Sequence, residues 1–330
     1  MVALVLLAGV EAFVVGSGWL WEDFPQTSVG EVYTLEGQLA AQQPRVVVLG
    51  NSRIQSGVLA DTLAEALGLP HRAAANLALS GGIPFESLVM YRRNRAHMAE
   101  ADLFVINFDH FHMAWWFAPR PRGSHFSTLS ERWRLYGGTM EAVPEMVGYF
   151  WGTFAARGHL REVIGIGRRG ALAAIRRSVD AVLGKTSPQR PVRKRGQPQP
   201  ANPSFLADQQ TADDIYAEGT FEKQSLDALR RLIALIHEDG GKVVLVHMPL
   251  AGPFLEDVKQ RHPVHFRQYE QTFHALAAEV DLLVDVGHGD ALGLTDADFK
   301  DWGHLWPSGA TLVTRHLAEA VRQEVAYPEE

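Results

Sequence analysis

Apolar residues fall into two alternating patterns along this chain. Short continuous runs at 45–49, 73–77, Leu103–Asn107, Lys242–His247 and Leu282–Asp285 predict strands buried on both faces. Between them lie stretches whose apolar positions recur at helical spacing. These are 58–67, which stops at Gly68; 84 to about 95, with Pro84 in its first turn; 221–239, ending at Gly240-Gly241; 265–279; and 307–325. Strands alternating with helices predict a mainly parallel central sheet covered on both faces, a three-layer α/β sandwich. Ligands of such sheets bind beyond the carboxyl ends of the strands, where Ser52 and Asn107 fall. No internal repeat interrupts the pattern.

Two regions depart from it. Residues 2–20 are almost wholly apolar, broken by Glu11, and as a helix would span about 28 Å. Trp19 and Trp21 stand where an interfacial aromatic belt would stand. Residues 1–22 therefore read as an uncleaved membrane anchor, the alternative being a buried first helix, and 22–43 reads as an irregular connection. The second departure is an insertion at about 109–208, within a domain covering 23–330. It carries aromatic clusters (Trp115, Trp116, Phe117; Tyr149, Phe150, Trp151) and basic helical stretches. Residues 185–203, rich in Pro, Gln, Arg and Lys, cannot bury a core and read as a flexible loop.

Composition adds exclusions. With 46% hydrophobic and 21% charged residues in 330, the chain is of ordinary globular type. A net charge of −7 argues against nucleic acid as a main partner. The absence of cysteine rules out disulfides and thiolate metal sites.

Several residue types along the chain carry candidate chemistry. Ser52 follows the first strand and precedes a helix, where backbone amides point outward and stabilise an anion. A helix N-cap is the other role open to a serine there. His304 is a base for that hydroxyl, and Asp301, three residues earlier, is placed to orient the imidazole. Asp109, His110 and His112 invite a metal reading if 110 and 112 share one face of an extended segment, but the set is incomplete. His247 is a further cleft candidate or a structural histidine.

Gly50-Asn51-Ser52-Arg53 near the front and Asp301-x-x-His304 near the end together resemble the SGNH (GDSL-type) hydrolase superfamily. Leu305, Pro307, Gly309 and a final amphipathic helix follow the histidine, as in those enzymes. The resemblance spans roughly 45–107 and 242–322. The first block departs from Gly-Asp-Ser-Leu. It is similar to an envelope subgroup with Gly-[Asn/Ser/Asp]-Ser-Arg, which includes alginate O-acetyltransferase-like proteins and the D-alanyl transfer protein of lipoteichoic acid synthesis.

The resemblance implies that the stretch from Asn76 to Gly82 is a second block, in which the Gly81 or Gly82 amide serves an oxyanion hole. It also implies Asn107 as a side-chain donor, although the usual Gly-x-Asn-Asp pattern is absent. The implied protein is a membrane-anchored serine esterase or O-acyltransferase, periplasmic or extracellular, with no cofactor and no metal. Its expected substrate is an acylated polysaccharide or envelope polymer, and its expected partner a membrane-bound O-acyltransferase. A non-catalytic envelope protein of the same fold is the competing reading. A nucleotide-binding domain fits poorly, because neither Gly-x-Gly-x-x-Gly nor a P-loop follows the first strand.

Overall fold

The computed structural model describes residues 26–113, 121–135, 209–216, 223–287 and 289–325, with isolated helical positions elsewhere. Residues 2–20, apart from Gly9 and Ala12, lie outside the described residues, as do both aromatic clusters and 185–203. Among the described residues no helix is long and apolar enough to cross a membrane.

The chain divides into two compact units, Met1–Thr34 with Arg120–Gln197 and Leu35–Pro119 with Pro198–Glu330. A helix α1 (Ser28–Ala40) runs from the first into the second. Its residues 28–40 were expected to be irregular. They form a helix because Val29, Val32 and Leu39 are buried and the Thr27 hydroxyl accepts the Gly30 N–H.

The second unit holds the sheet. In chain order its described elements are β1 (Val46–Leu49), α2 (Ser52–Gly57), α3 (Ala60–Ala66), β2 (Ala74–Asn76), α4 (Pro84–Asn94) and β3 (Leu103–Asn107). The first unit then supplies the short helices α5 (Pro121–Phe126) and α6 (Leu129–Leu135), where Tyr33 of α1 meets the edge of Phe126 at 5.3 Å. The second unit resumes with α7 (Gln209–Tyr216), α8 (Lys223–Glu238), β4 (Lys242–His247), α9 (Gly252–Arg261), α10 (Pro263–Ala275), β5 (Leu282–Asp285) and α11 (Pro307–Glu324).

All strand pairs are parallel, in the order β2-β1-β3-β4-β5. The chain leaves β1 towards one edge and returns on its other side with β3, so the β1/β3 crevice is the switch point where ligands of such sheets bind. Register places Leu49 beside Ile106 and Asn107 beside Val246, so the ends of β1, β3 and β4 open on one rim.

Both faces of the sheet are covered. Val46, Val48, Val105 and Val244 pack in one core with Ile54, Leu63, Val313 and Leu317, beneath α2, α3 and α11. On the opposite face Phe104 meets Tyr91 of α4 edge-on at 5.4 Å, and α8 packs beside α4. Burial on both sides explains why these strands read as continuous apolar runs rather than alternating ones.

Other elements also differ from expectation, among them the helix predicted over 265–279, which spans Pro263–Ala275. The stretch predicted over 58–67 is the shorter α3, and α2 precedes it, the two separated at Val58 and Leu59. Helix α9 escaped notice because its buried face is only Phe254, Leu255 and Val258 in an otherwise charged segment. Asp109 and the 3-10 turn His110–Met113, assigned by sequence to the insertion, belong to the sheet-bearing unit, where Asp109 is ion-paired with Arg53.

Candidate active site

Geometry at Ser52 begins with Gly50. Its φ of +140 favours glycine, and a Cβ there would lie 1.8 Å from Asn107 Oδ1. The chain can therefore turn sharply from β1 into α2. Asn51, rather than Ser52, caps α2: its Oδ1 accepts the Arg53 N–H at 2.8 Å. The cap role considered for Ser52 is thus filled by its neighbour, and the serine hydroxyl is released from it. The Ser52 N–H sits in the first turn, where helix donors lack intrahelical acceptors.

The segment from Phe299 to Leu305 is a closed loop, with an antiparallel bridge between those two residues and a Lys300 N–H donated to His304 O at 2.7 Å. Inside it Asp301 Oδ1 accepts the N–H groups of Gly303 (3.0 Å) and His304 (2.9 Å). Both carboxylate oxygens lie 2.9 Å from His304 Nδ1. Burial pushes the Asp301 pKa up, but the His304 ring and the two backbone donors outweigh it and hold the carboxyl below its ordinary value. An ionised Asp301 places the ring proton on Nδ1, leaving Nε2 as the acceptor. Nε2 lies 2.8 Å from Ser52 Oγ. The structure thus brings Ser52, His304 and Asp301 into one hydrogen-bonded series, across 252 positions of chain between serine and histidine.

The loop after β2 is sewn to the Ser52 turn by Leu79 N–H donating to Gly50 O at 2.9 Å. Its two glycines part company. Gly81, at φ +59 and half-buried, makes no hydrogen bond through its N–H among the described residues. The Gly82 N–H donates to Leu79 O at 2.8 Å, and a Cβ there would meet Gly50 O at 2.5 Å. Gly82 is a packing glycine, and Gly81 is the one able to present an amide.

Asn107 does not present its amide to the rim. It is 1% exposed, its Oδ1 accepts the Asn51 N–H at 3.0 Å, and its Nδ2 donates to Asp109. The expectation of an oxyanion donor fails here because the side chain points beneath the Gly50 turn rather than over it.

A buried polar network lies under Ser52. Arg53 and Asp109 form an ion pair at 2.8 Å with side chains 1% and 0% exposed. Asp109 Oδ2 also accepts from Asn51 Nδ2 at 2.8 Å. His112 Nδ1 accepts the Asp109 N–H at 2.9 Å, so its Nε2 carries the proton facing Gly82 O at 3.1 Å. Burial lowers the His112 pKa to about 4, despite the nearby Asp109 carboxylate, and the ring is neutral. Sequence reasoning assigned Asn51 and Arg53 only to a motif. The one available signal was a charged side chain directly after Ser52, and its burial was not legible.

The metal reading does not survive this arrangement. His110 and His112 sit on a 3-10 turn, not an extended segment, and diverge. His112 joins the network, whereas His110 lies against the rings of Tyr269 (3.7 Å) and His247 (4.9 Å). Among the described residues no cluster of three metal-ligating side chains occurs. His247 is 2% exposed, with Nδ1 2.9 Å from Asp285 Oδ1. Burial raises the Asp285 pKa, but His247 and the Gly287 N–H outweigh it and bring it down to about 2.

No family model matches the chain, and no curated protein matches it. Solved structures give loose likenesses. One is a Bacteroides fragilis chain assigned as an acylhydrolase, 12% identical, covering 89% of this chain and 95% of its own, with a TM-score of 0.39. Another is a carbohydrate acetylesterase from Sinorhizobium meliloti, 12% identical, covering 84% and 99%, with a TM-score of 0.34. At such scores the chemistry rests on the geometry above.

Proposed function

We propose that this protein is an SGNH-type serine esterase or O-acyltransferase working through an acyl-Ser52 intermediate. The observation that carries the reading is the series Asp301–His304–Ser52, with contacts of 2.9 and 2.8 Å at the rim of a parallel sheet. Ser52 Oγ attacks an ester carbonyl while His304 Nε2 takes its proton. Asp301 keeps the ring in the reactive tautomer and stabilises the imidazolium. The N–H groups of Ser52 and Gly81 hold the oxyanion; one such donor typically contributes ~3 kcal/mol to the barrier reduction. His304 then returns the proton to the leaving alkoxide. Water, or a sugar hydroxyl, activated by the same histidine, releases the acyl group.

The Gly-Asn-Ser-Arg block and the apolar 2–20 stretch support an envelope setting, with an acylated polysaccharide or polymer as substrate. A membrane tether, a periplasmic or extracellular site and a membrane-bound O-acyltransferase partner belong to the same reading. Burial of Asn107, which leaves the oxyanion to backbone donors, favours the non-catalytic alternative.

Incubation with a fluorophosphonate and p-nitrophenyl acetate separates the two. The wild type is expected to be labelled at Ser52 and to turn over the ester. Ser52→Ala should lose labelling and lower turnover on the order of 10⁶-fold. An unlabelled wild type, or esterase activity unchanged in the mutant, would overturn the acyl-serine reading.

A further inference from the structure

We propose that Arg53 is a positioning residue for the Ser52–His304 contact, with Asp109 as its buried counter-ion; this rests on the acyl-serine reading. Arg53 directly follows Ser52, and Gly303 directly precedes His304. The Arg53 Nε donates to Gly303 O at 3.3 Å. Its Nη2 donates to Met248 O at 2.5 Å and Pro249 O at 2.8 Å, just beyond β4. Its Nη1 faces Asp109 Oδ1 at 2.8 Å, just beyond β3. One planar guanidinium therefore ties the Ser52 turn, two neighbouring strand ends and the His304 loop together. Gly303 permits this approach, since a Cβ there would lie 2.9 Å from Nε.

The same carboxylate holds the other side of the serine. Asp109 Oδ2 accepts from Asn51, so both chain neighbours of Ser52 are anchored on Asp109. A buried ion pair is weak evidence for stability, because desolvation offsets most of its attraction and an apolar pair often does as well. What such a pair supplies here is direction. Three carbonyl acceptors and a carboxylate arranged around one plane suit the fixed fork of arginine and do not suit the point charge of lysine. A reacting pair displaced by about 1 Å can lose on the order of a hundredfold in rate.

Arg53→Lys and Gly303→Ala test this in the full chain. The first keeps the charge opposite Asp109; the second keeps every polar group but pushes a methyl against the guanidinium. Both are measured for kcat and KM on p-nitrophenyl acetate, for the rate of fluorophosphonate labelling, and for fold by circular dichroism and thermal unfolding. The expected result is a folded protein whose kcat and labelling rate fall roughly ten- to a hundredfold with KM little changed. A folded Arg53→Lys protein labelled at the wild-type rate, or one whose loss lies wholly in KM, overturns the proposal. Should Arg53→Lys fail to fold, Gly303→Ala decides, and wild-type labelling in that variant overturns it equally. A wild type that takes no label fails at the earlier step and removes the acyl-serine reading together with this one.

Discussion

At the residue scale, the hydroxyl of Ser52 is made available by what its neighbours do. Asn51 caps the helix, Gly50 makes the turn and Arg53 points inward, so the serine hydroxyl is left to meet His304 Nε2. Asp301 acts in the same way on His304, whose Nδ1 proton it fixes from 2.9 Å. Asp301→Asn offers an amide that can present an N–H to Nδ1 and favour the wrong tautomer. We expect kcat to fall roughly 10⁴-fold on p-nitrophenyl acetate with thermal stability close to that of the wild type. A rate within tenfold of wild type would exclude this role for Asp301.

At the element scale, the junction between β1 and α2 is tightly constrained. A Gly50→Ala side chain would meet both an unfavourable φ of +140 and the Asn107 oxygen. The strain and clash are expected to destabilise the protein by at least about 1–3 kcal/mol, read as a drop in the denaturant midpoint with unchanged slope. Among the helices, α1 and α9 were missed in the sequence for one reason: each buries only a few apolar residues, too few to set a clear period. The central strands β1, β3 and β4 were legible because burial on both faces demands unbroken apolar runs, whereas the edge strands β2 and β5 are less buried and show only short ones.

At the scale of the whole molecule, acid is the condition to which this fold is sensitive. His112 is neutral in the folded protein, with a pKa near 4 against 6.5 when unfolded. Below pH 6.5 the unfolded chain binds a proton that the folded one refuses. Stability should therefore fall by about 1.4 kcal/mol per pH unit as pH drops from 6.5 towards 4, on the order of 3 kcal/mol in all. Asp285 acts lower: its contribution is present above 3.8 and is lost as pH falls towards about 2. Unfolding free energies measured from pH 8 to 4 should show this slope, and His112→Asn should flatten it. An equal slope in the variant would rule out His112 as its source.

Read by itself, the sequence reveals the order of the five strands and of the more regular helices between them, because burial imposes a period on apolar positions; it marks Ser52 at the end of a predicted strand, and Asp301 and His304 as an Asp-x-x-His pair before the closing helix. The folded chain sets which of these groups meet. Contacts spanning 252 positions follow from sheet order and loop closure, and no local pattern encodes them. It likewise turned Asn107 and His112 inward, kept Gly81 and not Gly82 at the rim, and buried Arg53 against Asp109. A polar side chain in a sequence carries no sign of whether it will face water or another polar group. That choice is made by the neighbours that folding brings beside it.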